Sequence, residues 1–242
     1  LFTGAQCPPC VAADVAFDAL NKSYQPTELI TLQYHLHIPG PDPLTNADSV
    51  ERAKYYPDLR GTPSTFFNGK SAAGGGGGMA QNKYTEYAEE IKNGIAGKKL
   101  ASIDLKPTRK GDEITVAVNA KVGDAGDKSN ALKLRMVLVE ESIRYIGGNR
   151  LRFHHHVVRA MPGGAAGKEL VDGKLSTETT INLADVRKGL ETYLADFQKT
   201  RAFPKALPSI DLKNLKLVAF VQDDNDKKVL DVVQVDIPNE TP

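Results

Sequence analysis

The chain holds two cysteines among 242 residues, and both fall within Leu1-Phe2-Thr3-Gly4-Ala5-Gln6-Cys7-Pro8-Pro9-Cys10. One pair spaced Cys-x-x-Cys excludes a disulfide scaffold. It leaves a redox couple, a single structural staple or half of a metal site. The residues that follow fix the local geometry. Ala13, Ala16, Phe17 and Leu20 recur at helical spacing, which predicts a helix from Val11 to about Tyr24. Cys7 then lies at or just before the helix N-terminus, where unpaired N–H groups and the helix dipole favour a thiolate. Pro8 and Pro9 suit a first turn, which needs no intrahelical N–H.

Further along, Glu28 to Ile38 alternates strictly. Ile30, Leu32, Tyr34, Leu36 and Ile38 form one face of a predicted strand, and Thr31, Gln33, His35 and His37 the other. Residues 46 to 56 carry a short helical stripe of Val50, Ala53 and Tyr56. Arg60-Gly61-Thr62-Pro63 precedes an aromatic strand closed by Asn68-Gly69, a hairpin-turn dipeptide. The five glycines Gly74 to Gly78 predict a mobile connection, since no Gly-Lys-Ser/Thr follows to make a phosphate loop. A helix from about Lys83 to Ala96 carries Tyr84, Tyr87, Ala88, Ile91 and Ile95 on one stripe.

The pattern changes at Lys98. Strands are predicted at Ser102–Lys106, Glu113–Val122, Ala131–Glu141, Leu151–Met161, Thr177–Leu183, Leu215–Gln222 and Val229–Ile237, with turns at Gly123–Gly126, Gly147–Asn149 and Asp223–Asp226. One helix interrupts them, on Leu183, Val186, Leu190, Tyr193, Leu194 and Phe197. Short strands separated by turn signals suggest a β-sandwich.

Residues 1–99 resemble the thioredoxin-like superfamily on Phe2, Cys7-Pro8-Pro9-Cys10, the alternating strand and Gly61-Thr62-Pro63. Leu1-Phe2-Thr3-Gly4 is closer to the extracytoplasmic branches of that superfamily than to cytosolic thioredoxin. Arg152 to Arg159 and Val218 to Asp223 resemble outer-membrane-lipoprotein-related bacterial proteins, in which an immunoglobulin-like β-domain follows a thioredoxin-like one. The resemblance implies a thioredoxin-like α/β domain at 1–99, then an immunoglobulin-like sandwich with one inserted helix at 100–242. It implies a cis Thr62–Pro63 bond facing the cysteines, and Cys7 as the exposed sulfur. Three positions depart from thioredoxin: Gln6 stands where it has tryptophan, Leu1 where it has a buried aspartate, and Pro8-Pro9 where it has Gly-Pro. The aspartate that assists the resolving thiol is thus not expected at its usual place.

In the exchange reading Cys7 attacks, Cys10 resolves, and Thr62 and Pro63 orient a protein dithiol or disulfide partner, with no cofactor. One alternative is a non-catalytic binding or assembly module with a structural Cys7–Cys10 bond. Another is a copper or zinc carrier using Cys7, Cys10 and His35 or His37. His154, His155 and His156 would alternate along a strand and offer at most two ligands to one metal, so they read as a feature of the β-domain. Asp223 to Asp226 reads as a tight hairpin turn in place of a calcium loop. Net charge is −1 before residue 100 and +2 after it, which gives no basis for nucleic-acid or membrane-surface binding. No apolar run spans a membrane. Leu1-Phe2-Thr3 reads as the tail of a strand already under way, so the chain is expected to come from a longer, extracytoplasmic precursor. The sequence leaves the oligomeric state open.

Overall fold

The computed structural model describes residues 1–72, 77–123 and 131–238. The first part of the chain is mixed α/β: β1 (Phe2–Thr3), α1 (Val11–Ser23), β2 (Tyr34–His35), α2 (Ala47–Lys54), β3 (Phe66–Phe67), β4 (Lys70–Ser71) and α3 (Ala80–Ile95). β1 lies parallel to β2, with Phe2 opposite Tyr34 and Thr3 opposite His35, and bridges to Ser64 on its other side. The predicted α1 stripe meets α3: Ala13, Phe17 and Leu20 pack against Tyr87 and Ile91, with Phe17 and Tyr87 stacked at 5.0 Å. Asn46 caps α2 by accepting from the Ser49 amide at 2.8 Å, which satisfies one of the orphan donors of its first turn.

The rest is mainly antiparallel: β5 (Ala101–Lys110), β6 (Glu113–Val122), β7 (Leu132–Arg144), β8 (Phe153–Ala160), β9 (Lys168–Glu169), β10 (Lys174–Asn182), then α4 (Leu183–Thr200), β11 (Leu215–Asp223) and β12 (Val229–Asp236). One sheet runs β10-β6-β5. The other runs β12-β11-β7-β8, with β9 on β7. Their facing side chains, among them Ile114, Val116 and Val118 of β6, Leu134, Met136 and Leu138 of β7 and Leu217 and Val221 of β11, share one apolar core. The seven predicted strands and the inserted helix are all present. β9 was not anticipated, because two residues carry no readable period. The Gly123–Gly126 turn and Gly74, Gly75 and Gly76 of the glycine run lie in or run into segments outside the described residues.

The large sheet has a second buried face. Val137, Val139, Val158, Val218 and Phe220 point away from the β6 side and pack on Phe2, Tyr34, Leu36 and Tyr56. The two parts are also joined through the main chain. The Gln33 amide donates to His156 O at 2.9 Å and the Val158 amide to Gln33 O at 3.0 Å. Here the sequence expectation needs correcting. Of the predicted strand from Glu28 to Ile38, only Tyr34–His35 is a strand, and its supposed polar face is not solvated. Gln33 is 2% exposed and His35 0%. The β8 edge and its side chains cover that face in place of water.

The Asn68-Gly69 turn forms as expected, with both residues at positive φ (46° and 85°). Any Cβ on Gly69 would overlap the Lys227 carbonyl of the β11–β12 turn. Gly69→Ala is therefore expected to lower stability by about 1–3 kcal/mol. Gly189→Ala, on α4 where a Cβ meets nothing, should raise it by about 0.5–1 kcal/mol. Urea midpoints of the two variants against the parent chain measure both.

Candidate functional site

The Cys7–Cys10 pair is a closed disulfide, with its Cα atoms 5.4 Å apart. A 3-10 turn, Pro8–Cys10, leads directly into α1, so the pair sits where the sequence placed it, at the start of the helix. Cys7 is not the exposed sulfur: it is 1% exposed and Cys10 0%. Segments remote in sequence close over the motif. The Asn149 amide donates to Ala5 O at 3.0 Å, and the Gly77 amide to Pro9 O at 3.0 Å. The Gly148 amide donates to Gln6 Oε1 at 2.9 Å. Gly147 comes so near that a Cβ would overlap the Ala5 carbonyl. Gln6 thus anchors the β7–β8 loop.

Thr62 and Pro63 also stand beside the pair. The Thr62–Pro63 bond is cis, and Thr62 O lies 3.5 Å from Cys7 Sγ. In the disulfide that is a contact. In the reduced form a Cys7 thiol could donate across it.

Two buried carboxyls lie behind the motif, and the sequence reading named neither. Asp14 is one helical turn beyond Cys10, and the Thr3 hydroxyl is 3.0 and 3.1 Å from its two oxygens. Burial pushes the Asp14 carboxyl up to about 7, against the opposing pull of His35 and the Thr3 hydroxyl. Asp42 follows the strand. It accepts from the Ala5 amide at 2.6 Å and the Leu44 amide at 2.8 Å, and lies 2.8 Å from His35 Nδ1. Burial opposes ionisation there too, but His35 and the two amides outweigh it and hold Asp42 below the usual carboxylate range. A signal for Asp14 was available: Cys10, Ala13, Asp14 and Phe17 keep i, i+3, i+4, i+7 spacing, which puts an acid on the apolar stripe.

The histidines part company. His35 engages Asp42 and meets the His154 ring edge-on at 5.1 Å. His37 takes the Asp42 amide on Nδ1 at 3.0 Å, lies 3.1 Å from Tyr193 Oη through Nε2, and stacks on Phe197 at 3.6 Å. Both of its ring nitrogens are used, and burial lowers it to about 4. His154 is buried and pushed down to about 3 by desolvation and by His35. His156 has φ 51°, which interrupts the alternation expected along the three histidines. His155 Nε2 is 4.0 Å from Asp18 Oδ2. Among the described residues no three Cys, His, Asp or Glu side chains are grouped to hold a metal ion. The Asp223–Asp226 segment is a tight turn, with the Asp223 amide on Lys228 O and the Lys227 amide on Asp223 O. No described helix is long and apolar enough to cross a membrane.

No protein family and no curated protein matches the chain. Among solved structures, HBP35 of Porphyromonas gingivalis aligns over 100% of this chain and 74% of its own, with a TM-score of 0.63 at 16% identity. The two proteins share a fold. A domain of the outer membrane lipoprotein Omp28 from Porphyromonas gingivalis aligns over 60% of this chain and 93% of its own, at 21% identity and a TM-score of 0.39.

The Asp14 carboxyl makes stability depend on pH. Its folded pKa of about 7 lies above an unfolded value of about 3.9, so between them the folded state binds more protons. Stability from this group is therefore full below about pH 4 and declines as pH rises through 7. Asp14→Asn should flatten that decline and leave the variant about 1–3 kcal/mol more stable than the parent at pH 8. Urea unfolding at pH 4.5 and 8 measures the difference.

Proposed function

We propose that the chain is an extracytoplasmic thiol–disulfide exchange protein in which a thioredoxin-like domain at 1–99 carries the reactive pair. An immunoglobulin-like domain at 100–242 presents or docks the partner. The observation that carries this reading is a Cys-x-x-Cys disulfide opening α1, with the Thr62 carbonyl 3.5 Å from Cys7 Sγ. A disulfide of this kind also suits an oxidising compartment.

The chemistry needs no cofactor. In the reduced protein the Cys7 thiolate, at the favourable end of the α1 dipole, attacks a sulfur of a partner disulfide and expels one partner thiolate. The Cys10 thiolate then attacks Cys7 Sγ, expels the second partner thiolate and closes the Cys7–Cys10 bond. Two electrons pass to the partner. The same steps reversed oxidise a partner dithiol, and the relative potentials set the direction. Thr62 and Pro63 orient the partner segment against Cys7. With Cys7 1% exposed, attack requires local opening around the motif.

That burial favours a second reading, in which the disulfide is structural and the protein is a binding or assembly module. Two measurements separate them. Exchange predicts that Cys7→Ser lowers the rate of thiol exchange with a disulfide-bonded peptide at least a hundredfold. It also predicts that Cys10→Ser accumulates a mixed disulfide with that peptide, seen by mass. A reduction potential below about −300 mV together with no trapped adduct would leave the bond structural.

A further inference from the structure

A cavity of about 540 Å³ opens where the two parts of the chain meet, a volume in the range of small-molecule sites. It lies away from the Cys7–Cys10 motif, which contributes no residue to its wall. Phe2, Tyr34, Tyr56 and Phe66 from the first part and Phe220 and Val232 from the second give it an apolar lining.

One side chain in that lining is out of place. Arg52 of α2 is 2% exposed. Its guanidinium carbon sits 4.3 Å from the Tyr55 ring, 5.0 Å from Tyr56 and 5.4 Å from Phe220. One nitrogen, Nη2, is satisfied by Tyr56 Oη at 3.0 Å and Gln222 Oε1 at 2.6 Å. Nε and Nη1 are buried without a well-formed hydrogen bond, as is Gln33 Oε1 in the same wall, and the Tyr34 hydroxyl beside Arg52 is the nearest polar group left to them. No carboxylate among the described residues pairs with Arg52. The contrast with its neighbour Arg135 is direct, since Arg135 reaches Asp224 at 2.8 Å. The acids in the lining do not compensate. Glu28 and Glu90 are exposed, and Asp231 pairs with Lys99 at 2.9 Å.

An unpaired buried charge is strongly destabilising, and an unmet buried donor adds to that. A ligand that brings one anionic group to Arg52 and an apolar body to the aromatic wall removes both costs. We propose that this cavity binds an amphipathic monocarboxylate, acyl or aryl, with its carboxylate on Arg52 and its apolar body between the two parts of the chain. A guanidinium suits a carboxylate in geometry and charge. Neutral lipids would leave Arg52 unmatched.

The test is calorimetric titration of the full chain with decanoate and 2-naphthoate, with decanol and decyltrimethylammonium as controls. Saturable binding of one equivalent of at least one acid is expected, at least tenfold tighter than either control. Arg52→Met should weaken it at least tenfold while leaving the melting temperature equal or higher, because a methionine fills the site without a buried charge. Were Arg52 purely structural, the same change would lower the melting temperature and leave ligand affinity alone. Ile95→Trp places a bulky ring at the mouth, where Ile95 is 44% exposed, and should weaken binding at least fivefold with no loss of stability. Joint replacement of Cys7 and Cys10 by serine should leave affinity unchanged, which separates this site from disulfide exchange. Equal affinity for decanol and the acids, no saturable binding of either acid, or full affinity in folded Arg52→Met would overturn the proposal.

Discussion

The structure depends on a sheet with no solvent face at its centre. β7 and β11 are paired along their length and buried on both sides, by β6 and β10 on one and by Phe2, Tyr34 and Tyr56 on the other. An antiparallel sheet usually keeps one face wet and alternates accordingly. These two strands read instead as near-continuous apolar runs, Met136-Val137-Leu138-Val139 and Leu217-Val218-Ala219-Phe220-Val221. The α/β part therefore does not hang from the β part as an appendage. It supplies a second wall to the same sheet.

That arrangement determines how polar groups at the junction are treated. Where an ionic group is trapped beneath the second wall, it is generally paired: Arg135 with Asp224, His35 with Asp42. Arg52 breaks the rule. The burial that welds the two parts also encloses the cavity in which its guanidinium is left unmatched.

Legibility in the sequence follows the number of wet faces. β6 is covered on one side, and its alternation of Ile114, Val116, Val118, Ala120 and Val122 against polar residues gave its limits directly. The helices showed through for the same reason, each having one apolar stripe. The segment from Glu28 to Ile38 alternates equally well but is mostly irregular. Its polar residues meet remote groups, Thr31 on Asn21, the Gln33 main chain on β8, and His35 and His37 on Asp42, which a local window cannot see. In the site, the cysteine pair and Thr62-Pro63 were legible because they are contiguous motifs. Asp42 and His154 were not, because their meaning arises from contacts between Ala5, His35 and Tyr145, which are far apart in the chain.

Asp14 and Asp42 together show what surrounds the disulfide. Both carboxyls are buried, and burial alone would raise both. Asp42 receives two amides and an imidazole and stays ionised. Asp14 has one hydroxyl donor and goes up to about 7. The difference matters for the helix end that carries Cys7 and Cys10. An ionised carboxylate one turn beyond Cys10 would oppose a thiolate there. A largely protonated one leaves the favourable field of the α1 N-terminus uncancelled. A buried acid lies one helical turn beyond Cys10. It arrives from α1 itself, and it favours the thiolate most where it holds its own proton.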